Sequence, residues 1–227
     1  LTFKNISDKP ILCSLEHGFY DDITLAADFY SGHSVIERPG KHKIADLDYV
    51  EPEFLSLNGL SHIQSKIDMK KISFNTYYKF FNEGIIIGKK IESRSNEKLL
   101  VRPFNFTLNP LVWDRDSLFI EVHNGGFSKE IFFLKGMDVA HSEIYSSLIS
   151  SCNVFGFTER EIVIGDKKMK LQFSLLNSNG ALLPSIIYKE IDNMFFLRLY
   201  FSAQEIDETL KKNKFNLHSE ILISTPS

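Results

Sequence analysis

The sequence predicts an all-β fold, a large antiparallel β-sandwich, and three observations carry that reading. Segments that alternate apolar and polar residues recur along the 227-residue chain, the pattern of strands with one buried and one wet face. Turn signals separate them, most plainly Asn124-Gly-Gly-Phe and Gly165-Asp-Lys-Lys, because Gly and Asn reach the positive φ of tight turns. Helix-forming stretches are too few to supply the crossover helices that parallel strands need.

The elements follow in order. Leu1-Thr-Phe-Lys-Asn5 alternates, and a Ser-Asp-Lys-Pro turn leads to Ile11-Leu-Cys-Ser-Leu15. Ile72 to Phe80 is a long alternating run. Leu118 to Val122 and Lys129 to Leu134 flank the Asn-Gly turn as a hairpin. Glu161 to Ile164 and Met169 to Leu175 form a second. Ala181-Leu-Leu with Ile186-Ile-Tyr forms a third pair, followed by Met194 to Phe201. His218 to Ser224 reads as a terminal strand. One short helix is expected near 203–212. Ser202-Ala-Gln-Glu205 is a capping box, and the acids come early and the lysines late, as the helix dipole favours. His141 to Ile149 fits either helix or strand.

No repeat, linker or low-complexity tract divides the chain, so residues 1–227 are read as a single domain. The polar stretch Ser93-Arg-Ser-Asn-Glu-Lys98 is read as a hairpin tip in preference to a boundary between two lobes. The chain begins without Met, which fits a domain excised from a longer polypeptide that packs with other domains of its parent.

Composition narrows the function classes. Apolar residues make up 43% and charged residues 24%, as in soluble globular proteins. The 20 phenylalanines suit a thick core between sheets. A net charge of −3 gives no basic footprint for nucleic acid. No apolar run reaches the roughly 18 residues of a membrane span. Cys13 and Cys152 sit among apolar or small neighbours, so buried thiols or one disulfide both fit. Phosphate-binding loops, dinucleotide fingerprints, serine elbows and paired zinc ligands are all missing, so no cofactor or metal is expected. The compartment is not encoded.

The densest chemistry lies early. Glu16-His17-Gly-Phe-Tyr20-Asp21-Asp22 and Asp28-Phe-Tyr30-Ser-Gly-His33, with Glu37 beyond, join two histidines to acids and aromatics. Carboxylate pairs and histidine perform general acid/base chemistry, and aromatic rings offer an apolar face with a polar tip. The competing reading is an Asp-rich turn with a satisfied histidine. His123, beside the Asn-Gly turn, is either a strand-end site residue or an exposed hairpin histidine. Trp113, the single tryptophan, is either a sugar platform or a core edge. Glu159 precedes a strand, and Asn105 and Thr107 alternate with apolar neighbours.

These clusters, His123 and the Phe-rich strands at 169–175 and 194–201 together resemble the large β-sandwich domains of carbohydrate-active proteins. The galactose-mutarotase-like supersandwich is among them. The resemblance is one of architecture, with no family-specific motif. It implies a supersandwich that binds or processes carbohydrate, as a glycoside hydrolase or sugar isomerase does, by cofactor-free acid/base chemistry. His17, Asp21, Asp22, His33 and His123 would line the cleft as catalytic candidates, with Glu16, Tyr20, Tyr30, Glu37, Trp113 and Glu159 binding a carbohydrate or other polar small molecule. The alternative is a non-enzymatic structural or interaction β-domain of a larger assembly.

Overall fold

Period-two burial organises the folded chain as it does the sequence. The computed structural model describes residues 2–6, 9–13, 32–37, 44–46, 52–57, 60–69, 71–94, 99–108, 110, 112–124, 128–137, 161–180, 182–203 and 215–226. Among the described residues there are sixteen strands and one 3-10 turn, Arg115–Ser117.

Nine strands form one antiparallel sheet. In spatial order they are β11 (Ser128–Phe133), β10 (Phe119–Asn124), β12 (Glu161–Gly165), β13 (Lys170–Ser178), β16 (Phe215–Ser224), β8 (Gly84–Ser93), β7 (Ile72–Phe80), β6 (Leu60–Met69) and β5 (Pro52–Leu57). Five form the second sheet: β14 (Leu182–Ile191), β15 (Met194–Ala203), β9 (Leu100–Thr107), β3 (His33–Glu37) and β4 (Ile44–Ala45). A separate ribbon pairs β1 (Thr2–Ile6) with β2 (Lys9–Cys13).

The sheets meet through their apolar faces. On β7, Ile72, Phe74 and Tyr78 are buried in alternation, opposite Ser93, Ile91 and Ile87 of β8. On β15, Phe195, Leu197, Leu199 and Phe201 do the same. Phe106 of β9 meets Phe173 of β13 across the gap, ring centroids 5.1 Å apart. Each such fully buried ring contributes roughly 1.5–3 kcal/mol. The product is an antiparallel sandwich, the predicted fold class.

The predicted hairpins pair in the structure as β10–β11 and β12–β13. Two local expectations differ in the structure. Ala181 to Tyr188 is not a pair of strands: 182–191 is one strand, matched to β15 over its whole length. Ser93–Lys98 is not a hairpin tip, because β8 pairs with β7 and β16, whereas β9 pairs with β15 and β3 of the other sheet. Apolar runs of similar character on both sides do not reveal a change of sheet. At the expected helix, residues through Ala203 continue β15, and 204–214 lie outside the described residues. So do His141–Ile149 and Cys152.

Candidate functional site

The alternation of β15 leaves a second row of side chains on the outer face of the five-stranded sheet. Register places Ser185, Tyr200, Asn105 and His33 side by side across β14, β15, β9 and β3. Arg198 lies one row further, opposite Thr107, and its Nε donates to Thr107 Oγ1 at 3.3 Å. The Arg102 guanidinium covers the Tyr200 ring, 4.6 Å from its centroid.

A bulge makes this row possible. His33 pairs with Asn105 and Val35 with Arg102, so β9 spends one more residue than β3 between the two pairs. The extra residue changes which side chains face the core. Val101 points inward before it and Phe104 and Phe106 after it, which turns Arg102, Asn105 and Thr107 outward. Pro103, which has no N–H for a ladder, sits in the bulge, where proline is tolerated. Asn105 repairs the interrupted ladder: its Nδ2 donates to the carbonyls of His33 at 3.1 Å and Arg102 at 3.3 Å. Gly32, at φ 81°, lets the chain turn into β3 and donate its N–H to the Asn105 carbonyl at 2.7 Å.

The row is graded in exposure. His33, Arg102, Asn105, Thr107 and Tyr200 are buried, while Ser185, Phe196 and Arg198 are half-buried. His33, Arg102, Thr107, Arg198 and Tyr200 all have further partners. The row therefore has a polar floor at β3 and β9 and a more open side at β14 and β15. Imidazole, guanidinium, amide, phenol and hydroxyl groups supply directional hydrogen bonding on one sheet face.

An ion pair inside the sandwich holds the floor from behind. Asp46, directly after β4, accepts the Ser34 N–H at 2.9 Å through Oδ1, and its Oδ2 pairs with Lys89 Nζ at 2.7 Å. Ser34 Oγ donates to the Pro103 carbonyl at 3.1 Å. Both charges are almost fully buried. Burial pulls the Lys89 ammonium below its ordinary pKa, opposed by the Asp46 charge and hydrogen bond. Burial, with Asp46 adding to it, pushes the Tyr78 phenol well above its ordinary range.

Of the residues singled out from the sequence, His33 lies in this row. Trp113 is buried within the hydrophobic core. Glu37 ends β3 opposite Leu100, and His123 lies in β10 opposite Lys129; the side chains of both are outside the described residues. Glu16, His17, Tyr20, Asp21, Asp22, Tyr30 and Glu159 lie outside the described residues altogether. Among the described residues no cluster of His, Cys, Asp and Glu is placed to hold a metal. No helix among them is long and apolar enough to cross a membrane.

Arg102, Arg198 and Tyr200 were not singled out from the sequence. Arg198 and Tyr200 carry a signal there, as the polar positions interleaved with Phe195, Leu197, Leu199 and Phe201. Arg102 carries none, because the bulge decides its direction.

No family model matches the chain, and no curated protein does. Among solved structures, the GH36 alpha-galactosidase AgaA from Geobacillus stearothermophilus, in complex with raffinose, aligns at TM-score 0.54 and 12% identity. That alignment covers 94% of this chain and 35% of the galactosidase. GH36 alpha-galactosidase AgaB from the same organism aligns at TM-score 0.50 and 12% identity, covering 90% of this chain and 33% of the other. A galactose mutarotase related enzyme from Lactobacillus acidophilus aligns at TM-score 0.36 and 11% identity, over 78% of this chain and 71% of that one. The two galactosidase alignments establish a shared sandwich fold, and the chain spans about a third of the length of each.

Proposed function

We propose that this chain is a carbohydrate-binding or carbohydrate-processing β-sandwich domain that uses cofactor-free acid/base chemistry. The observation that carries the reading is the row Ser185, Tyr200, Asn105 and His33, with Arg102 and Arg198 beside it, on one sheet face. Sugars are bound by dense, directional hydrogen bonds from such planar polar groups. The fold it shares with two alpha-galactosidases, one of them in complex with raffinose, supports carbohydrate as the ligand class. In this reading Arg198 and Ser185 meet the hydroxyls, and His33 supplies the proton transfer for glycoside hydrolysis or sugar isomerisation. His17, Asp21 and Asp22 remain candidates for the second acid/base group; His123, on β10 of the nine-stranded sheet, does not share the sheet of His33.

A glycan array and a panel of aryl glycosides test this. The expected outcome is binding of a galactoside or related sugar that Arg198→Ala weakens by about tenfold or more, the loss of one charged hydrogen bond. Any turnover falls in His33→Ala by about a hundredfold, the usual contribution of a general acid or base. Absence of binding and turnover across both panels refutes the proposal.

The alternative, a non-enzymatic interaction domain of a larger assembly, is favoured by β11. This strand lies last in its sheet among the described residues, and its Ile131 and Phe133 are 52% and 65% exposed.

A further inference from the structure

The outer face of the nine-stranded sheet carries a second ordered cluster, remote in sequence and register from the His33 row. Tyr77, Gly88, Glu220 and Asn177 occupy one row across β7, β8, β16 and β13. Gly88 is the device that builds it. A Cβ at that position would fall on the Tyr77 ring, so only glycine lets the ring lie across β8. The Tyr77 hydroxyl thereby spans the strand and donates to Glu220 Oε1. Asn177 Nδ2 donates to Glu220 Oε2 at 2.7 Å and fixes the carboxylate from the far side. Lys79 Nζ lies 4.8 Å from the ring centroid and 4.0 Å from Glu220 Oε1. His218, one row away on β16, is exposed.

We infer that this face is a carbohydrate platform, separate from the His33 row, which takes an extended oligosaccharide against the Tyr77 ring. The ligand class rests on the carbohydrate reading above; the location does not. A pinned ring loses little freedom on stacking, and its apolar face suits the C–H face of a pyranose. Asn177, Glu220 and His218 stand within one or two strand spacings, about 5–10 Å, the reach of neighbouring hydroxyls. Lys79 and Glu220 offset each other's charge, which favours a neutral polyol over an ion. Lys90, Asn177 and His218 on this face are exposed, which favours an extended chain over a single small molecule. Lys79 is exposed enough to give way to the incoming ring.

Amide chemical-shift mapping on the whole chain tests this, with raffinose, maltohexaose, cellohexaose and xylohexaose as probes. The expected result is a set of shifts confined to 75–79, 86–90, 177 and 216–220 with at least one hexaose. Tyr77→Ala weakens that binding by about tenfold or more, while Tyr77→Phe, which keeps the ring, stays within about threefold. Asn177→Ala, at an exposed position that does not threaten folding, weakens it less than Tyr77→Ala. The same shifts persist in Arg198→Ala, which separates the two faces. Shifts confined to the His33 row overturn the platform and leave the proposed function standing. Shifts on the Tyr77 face that survive in Tyr77→Ala, or no shift there with any probe at about 10 mM, the range of weak binding, also overturn the platform.

Discussion

Asp166 gathers three backbone amides on one buried carboxylate. Its Oδ1 accepts the N–H groups of Lys168 at 2.7 Å and Met169 at 2.8 Å, and its Oδ2 accepts that of Asp114 at 2.7 Å. Burial pushes its pKa up, but the hydrogen bonds from Asp114, Met169 and Lys168 outweigh burial and hold it below the ordinary value. Asp114 falls further, to about 2, through the Ser117 hydroxyl and then the Lys167 ammonium. Glu220 is lowered chiefly by the Tyr77 hydroxyl, and Glu190 by the Gly136 amide. Each of these carboxylates has a folded pKa below its unfolded one. Each therefore contributes stability above the ordinary carboxylate range and loses it as pH falls through the folded value. Urea midpoints should drop between about pH 4.5 and pH 2. At neutral pH, Asp166→Asn should cost about 1.5–3 kcal/mol, the range for hydrogen bonds to a charged group, and the gap to the parent chain should narrow at pH 2.5. A gap that stays constant with pH would refute the electrostatic account.

At the scale of elements, the β14–β15 hairpin pairs ten residues on each strand and closes through Asp192 and Asn193. Asp192 sits at φ 51°, the left-handed region that Asp and Asn tolerate and β-branched residues do not. Asp192→Val should destabilise by roughly 1–3 kcal/mol, whereas Asp192→Gly should change stability by less than about 0.5 kcal/mol. Equilibrium urea unfolding of both variants measures the contrast, and equal effects would count against a backbone origin. Elements with plain alternation and turn residues were legible in the sequence, because both signals are local, but β14 reads there as two short strands. β7, the β12–β13 hairpin and β16 fall close to where the pattern put them. Sheet membership was not legible, because pairing is long-range: His33 and Asn105 meet across 72 positions. Nor was the β9 bulge, since Arg102 to Thr107 alternates by a rule that the bulge resets. Trp113 carried no directional signal beside Pro110 and Asp114, and packing placed it in the core. His33 was legible as a reactive type; its neighbours Tyr200, Arg102 and Arg198 come from strands that only the folded sheet brings together.

At the scale of the whole molecule, a buried ion pair links the two sheets through the interior. Lys89 stands on the nine-stranded sheet, Asp46 beside the five-stranded one, and their 2.7 Å contact crosses between the two layers. In register, Lys89 lies between Thr76 and Ser219, whose hydroxyl oxygens are buried and make no protein hydrogen bond. The row is therefore poorly satisfied except through Asp46, and burying two charges costs several kcal/mol that only their mutual attraction offsets. Removing one partner leaves the other charge buried and alone. Lys89→Met and Asp46→Asn should each destabilise by roughly 3–5 kcal/mol. The double variant removes both charges, so it should be no less stable than the worse single one, with a coupling of about 2 kcal/mol or more. Simple additivity of the two singles would disprove the coupling. Asp46 also accepts the Ser34 amide, next to His33. Loss of the pair should therefore perturb amide shifts at 33–35 and 102–105 on the far side of the sheet, even where the variant remains folded. Unchanged shifts there would separate the ion pair's contribution to stability from any control over the His33 row.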